Sequence, residues 1–146
     1  VSGELTEALL NGASPDVLAA CPVPESTRAL CIRREDEAMF EGLGENAIDV
    51  RESLHLEEVA LPPITADEVI VAIMASAINY NTVWSAMFRP MSTFGFLDRL
   101  GKEEIGGARH VIDRHVLGSD GAGVVVRVGE AVRHWKVGDE VVVNTL

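Results

Sequence analysis

Glycines lead straight into a β-branched run in "GSDGAGVVVRVG" (118–129), and that order constrains the fold more than any other feature of the chain. A loop that cradles a dinucleotide phosphate follows a strand and opens a helix, whose free N–H groups receive the phosphate. Here the glycines are followed by Val124, Val125 and Val126. Side chains stiff at χ1 favour a strand. The expectation is a strand whose small residues let it pass close to neighbouring backbone, with no phosphate site.

The rest of the second half has the same texture. "LHLEEVAL" (54–61) and "EVIVAIMASAI" (68–78) are rich in strand formers, with "LPPITAD" as a connection. The second run is apolar on both faces, the pattern of a strand buried in a barrel or between layers. "DEVVV" (139–143) predicts a last strand. "YNTVWSAMF" (80–88) and "STFGFLDRLG" (92–101) predict short helices parted by Arg89-Pro90, with Ser92 as N-cap and Gly101 as stop. In "HWKVGDEVVV", Gly138-Asp139 marks a turn and Trp135 is expected to cap the core.

Residues 1–53 read as a helical or irregular N-terminal extension, and 54–146 as the main domain. Leu5, Ala8 and Leu9 recur at helical spacing before Gly12, and Ser14-Pro15-Asp16 offers an N-cap, a first-turn proline and an acid. Pro22 and Pro24 end that second helix, "TRALCIR" (27–33) fits a strand, and "EDEAMFEGLG" (35–44) a weak helix or loop. The chain opens on Val1 and stops at "EVVVNTL", straight out of a strand-like run. It therefore reads as a piece of a longer protein.

Charge narrows the partners. Twelve basic against 23 acidic residues leave a formal charge of −11, which repels nucleic-acid backbones and anionic lipid. Neither nucleic acid nor membrane is an expected partner. The longest strongly apolar stretch, "VIVAIMASAI", is too short to span a bilayer. Cys21 and Cys31 fit free thiols in a reducing compartment, and no leader pattern is present, so the expected location is cytoplasmic.

No metal site is expected. His110, Asp113 and His115 are near neighbours, but "HVIDRH" lacks the tight spacing of a helical ligand pair; His55 lies in a strand-like run and His134 in a turn-like one. A different candidate is "SAINYNTVW" (76–84), where an apolar strand ends in Asn79-Tyr80-Asn81-Thr82. Amides at a strand end beside aromatics make a usable binding rim. The plainer alternative is Asn79 as a turn residue with Thr82 or Asn81 as N-cap.

Taken in order, "INYNTVW", "FRPMSTFGFLDRLG", "HVLGSDGAGVVVRVG" and "WKVGDEVVV" resemble the N-terminal part of crotonyl-CoA carboxylase/reductases, zinc-independent members of the medium-chain dehydrogenase/reductase superfamily. The resemblance runs from about "PESTRAL" to the end and is strongest over 76–143. "FRPMSTFGFLDRLG" is its most specific part. It implies a mainly β fold: a GroES-like, partly open barrel with a short helical insertion, whose Rossmann domain is absent from this chain. Zinc-dependent relatives carry Gly-His-Glu where this chain has Gly118-Ser119-Asp120, and serine is a poor zinc ligand.

The implied activity is reductive carboxylation of a 2-enoyl-CoA with NADPH and CO2 to an alkylmalonyl-CoA. By motif match Asn81 would anchor a CO2 oxygen, while Asn79, Thr82 and Trp84 would line the nicotinamide of NADP. The resemblance also implies a homo-oligomer formed through the absent domain. Two other readings stay open: a simple enoyl-thioester or quinone reductase of the same fold, and a non-catalytic GroES-like assembly module.

Overall fold

The computed structural model describes residues 3–102, 109 and 111–143. The chain is mainly β, with six strands in two open three-stranded sheets and four short helices among the described residues. It divides into two compact units, one formed by Val1–Thr27, Glu58–Ala77 and Asp120–Leu146, the other by Arg28–Glu57 and Ile78–Ser119. No described helix is long and apolar enough to cross a membrane.

The first unit begins with helices α1 (Gly3–Leu10) and α2 (Pro15–Ala20). Ser14 takes the N-cap place of α2 and Pro15 its first turn, but the Ser14 hydroxyl makes no capping bond. The other end of α2 is held by a cation, as the exposed carbonyls of a helix C-terminus favour. Arg127 donates to the carbonyls of Leu18, at 3.2 Å, and Cys21. Leu5, Leu18 and Cys21 are buried with Val126, and Ile70, Ala72, Val124 and Val137 pack around them. The helical N-terminus thus carries part of this unit's core.

The sheet of this unit has the order β3-β5-β6, all antiparallel, with β3 at Val69–Ala75, β5 at Gly121–Val128 and β6 at Glu140–Val143. Close strand passage occurs at Gly123, where a Cβ would lie 2.1 Å from the carbonyl oxygen of Ala72. Only glycine fits there.

Two expectations fail in this unit. β3 is not buried on both faces: Ile70 and Ala72 meet the core, but Ile73 is 53% and Met74 50% exposed. Among the described residues β3 is an edge strand, paired with β5 on one side. Trp135 is 51% exposed and does not cap the core; two residues on, Val137 packs there instead. The turn itself forms as expected, the Asp139 carboxylate accepting from the Lys136 N–H at 3.0 Å.

The other sheet has the order β2-β1-β4, with β1 at Ser26–Arg33, β2 at His55–Ala60 and β4 at Arg114–Val116. β1 and β4 are antiparallel, Ile32 opposite His115. The second unit also holds α3 (Tyr80–Met87) and α4 (Thr93–Leu100). Ser92 caps α4 as its spacing predicts, accepting from the N–H groups of Phe94 and Gly95. A short 3-10 segment, Arg34–Asp36, runs into turns over 37–42.

An aromatic core fixes α3 and α4. Phe94 and Ile32 are fully buried with Phe40 and Phe88, and the Phe88 and Phe94 rings stack at 6.4 Å. Arg34 lies over the Phe94 ring, 5.0 Å from its centroid, and grips Asp98 through two bonds of 2.8 Å. That bidentate pair holds the Asp98 carboxyl below the usual carboxylate range. The segment "FRPMSTFGFLDRLG" is therefore built into the unit by Phe88, Phe94 and Asp98.

Candidate active site

Among the expected site residues, Asn79, Asn81, Thr82 and Trp84 come together in the first turns of α3, inside the second unit. Asn79 is the N-cap. Its backbone is extended, and its side-chain oxygen accepts from the Thr82 N–H at 3.1 Å. The cap is thus Asn79 itself, while Asn81 and Thr82 are helical residues. Asn79 does not stop at capping: its Nδ2 donates to the Ser119 hydroxyl oxygen over 2.8 Å.

Ser119 follows Gly118, whose φ of +117° is a conformation that favours glycine. This bond ties the loop after β4 to the start of α3. The sequence shows glycines leading into a strand but not this bond, since two polar side chains 40 positions apart carry no local signal.

Asn81, the second residue of α3, is exposed. Among the described residues its side chain enters no hydrogen bond, so both ends of its amide are open to a ligand. One turn on, Trp84 is 48% exposed and Tyr80 78%, their rings 6.0 Å apart at 36°. Thr82 turns its hydroxyl to the Asn79 side-chain oxygen at 3.4 Å. The surface therefore offers an amide donor and acceptor beside accessible aromatic faces.

The far end of α3 is as well anchored. Phe88 ends the helix in a left-handed conformation, and Arg89 donates to the carbonyls of Phe40 and Leu43 at 3.2 and 2.6 Å.

The other polar feature of this unit is a hollow of about 420 Å³ lined by Arg33, Arg34, Glu35, Asp113 and Arg114. Its guanidinium groups already have carboxylate partners. Arg33 and Arg114 share Glu57, at 2.5 and 2.7 Å, and hydrogen bonding to Arg33 holds the Glu57 carboxyl below its usual range. Such paired charges serve the fold before they serve a ligand.

Histidines and cysteines are dispersed. His55 bonds Asp36 at 2.7 Å, His115 is half-buried, and both cysteines are buried and free. His110 lies outside the described residues. Among the described residues no three His, Cys, Asp or Glu side chains are grouped to hold a metal ion.

Residues 65–146 match the alcohol dehydrogenase GroES-like domain. The chain belongs to that domain family. Within it the chain is similar to the crotonyl-CoA reductases of Streptomyces avermitilis and Streptomyces collinus, at 46% and 47% identity over 128 residues. Each alignment covers 88% of this chain and 29% of the relative.

Among solved structures, the apo form of the 2-octenoyl-CoA carboxylase reductase CinF from a Streptomyces species superposes with a TM-score of 0.88 at 51% identity. That match covers 97% of this chain and 33% of CinF. A second CinF structure, in complex with NADP and 2-octenoyl-CoA, gives 0.87. This GroES-like chain thus spans about a third of the length of its relatives. The resemblance seen in its motifs is to the carboxylase/reductases.

Proposed function

We propose that this chain is the N-terminal catalytic-domain portion of an NADPH-dependent 2-enoyl-CoA carboxylase/reductase. The observation that carries the reading is the exposed, unengaged carboxamide of Asn81 on a helix braced at both ends. Identity to the named relatives, and the NADP and 2-octenoyl-CoA held by CinF, support it.

The residues present fit a nicotinamide. Thr82 and the half-exposed Trp84 offer a hydroxyl and a flat apolar face, and Asn79 stands behind them as their brace. Bound there, NADPH would supply the hydride that reduces the β-carbon of the enoyl thioester and leaves carbanion character at the α-carbon. Asn81 then has the decisive task. Its Nδ2 donates to one oxygen of CO2, holding the gas where the α-carbon attacks it. That bond strengthens as the bending CO2 gains carboxylate charge. Water at the same place would protonate the α-carbon, so the aromatic surface of Tyr80 and Trp84 also serves to keep it out.

Homo-oligomerisation and a cytoplasmic location belong to the same reading. A simple enoyl-thioester or quinone reductase would share the fold without needing Asn81, and an assembly module would need neither Asn81 nor the aromatic pair. Incubating the intact protein with NADPH and crotonyl-CoA, with and without bicarbonate, separates the three. Carboxylated product only with bicarbonate is expected. Saturated acyl-CoA under both conditions would make it a reductase, and no NADPH oxidation an assembly module.

A further inference from the structure

We propose that Ser119 is a positioning residue for carboxylation, acting on Asn81 through Asn79; the proposal rests on the role just given to Asn81. The starting point is an ambiguity in every asparagine N-cap. A half-turn about the last side-chain bond exchanges the amide oxygen and nitrogen. Only the oxygen can accept from the helix's first N–H groups; the nitrogen presented there would cap nothing. The Ser119 oxygen, 2.8 Å from Asn79 Nδ2, selects the productive orientation, with Oδ1 turned to the Thr82 N–H.

The helix needs that help. α3 has only eight residues, far shorter than a helix that stands by itself in water. Its C-terminal half is secured by packing, with Ala86 and Phe88 buried. Its first turn exposes Tyr80 and Asn81 and depends on the cap. Asn81 sits two residues beyond Asn79, in the turn that the cap closes. Fraying of that turn would move the Asn81 amide by far more than the tolerance of a hydrogen bond to a small ligand. Gly118, at φ +117°, gives the loop the shape that presents Ser119.

The test compares Ser119→Ala, which deletes the acceptor, with Ser119→Thr, which keeps it. Both are measured in the intact protein at saturating crotonyl-CoA, following NADPH oxidation and the ratio of alkylmalonyl-CoA to saturated acyl-CoA against bicarbonate. For Ser119→Ala the expectation is an apparent KM for CO2 raised about fivefold or more, as one lost hydrogen bond implies. The carboxylated fraction falls by more than the rate of NADPH oxidation, because Thr82 shares the capped turn with Asn81, and Ser119→Thr restores the KM and the product ratio. A general loss of fold would instead lower NADPH oxidation in step, and an unchanged KM and product ratio in Ser119→Ala would overturn the proposal.

Failure of the underlying reading looks different: the parent protein itself then forms no carboxylated product. The side-chain amide resonances of Asn79 and Asn81 decide the positioning in that case. They shift in Ser119→Ala and not in Ser119→Thr if Ser119 holds the turn, and unmoved resonances in Ser119→Ala reject it.

Discussion

The Ser53 hydroxyl, fully buried, lies 2.7 Å from the carbonyl oxygen of Ala86 in the last turn of α3. Four residues beyond Ala86 stands Pro90, which has no N–H to offer that carbonyl. Ser53 supplies the missing donor from the 3-10 segment Val50–Ser53. Ser53→Ala would leave a buried carbonyl unsatisfied, at a cost of roughly 1–3 kcal/mol. Urea unfolding followed by circular dichroism should show a lower midpoint with an unchanged slope.

His115 gives the fold a sensitivity to mild acid. Burial pushes its imidazole below the usual value of 6.5, because the charged form loses its hydration. The unfolded chain then binds the proton more readily than the folded one. Stability is complete above about pH 6.5 and declines as pH falls towards the lowered folded value. Replacing His115 with Gln should flatten that slope. Thermal melts of both forms between pH 7.5 and 5.5 provide the measurement.

The 146-residue chain by itself should show no micromolar affinity for NADPH. Among the described residues the glycines of 118–123 lead into β5, so no helix N-terminus follows them to take a phosphate. A charge of −11 further opposes a polyphosphate. Isothermal titration of NADPH into the purified chain would reveal any such binding, and its appearance would contradict the expectation.

Replacing Asn81 with Leu keeps a similar volume and removes the amide donor. In the intact protein the carboxylation step should lose on the order of 1–3 kcal/mol of transition-state stabilisation. Hydride transfer should suffer less, so saturated acyl-CoA rises while NADPH continues to be oxidised. Mass spectrometry of products at saturating bicarbonate reads the switch. A Leu variant with its carboxylated fraction intact would reduce Asn81 to an ordinary helix residue.

Legibility in the sequence followed the range of the interaction. Helix ends at Gly12, Ser92 and Gly101, and the strands β1, β3, β5 and β6, were all visible because propensity and capping act within a few residues. β4 was not; its three residues are extended by pairing with β1 rather than by their own preference. The failures at β3 and Trp135 share a cause, since apolarity reports that a side chain favours burial and says nothing of whether a neighbour arrives. At the candidate site, the cluster in "NYNTVW" was evident as a local pattern. Ser119 and Ser53 were hidden, each bonding a partner more than 30 positions away.

The interleaving of the two units bears on how the chain emerges from a ribosome. The first unit is begun at the N-terminus, left at Thr27, resumed at Glu58, left again at Ala77 and completed only after Asp120. Leu5 and Leu18 wait for Val126 before their core can close. At about 5–20 residues per second, that delay lasts on the order of 5–20 seconds, with α1, α2 and an unpaired β3 in the open. The second unit, by contrast, has all its segments once Ser119 has been made. Synthesis thus imposes an order on assembly, and the earliest-made segments of the chain are among the last to find their partners.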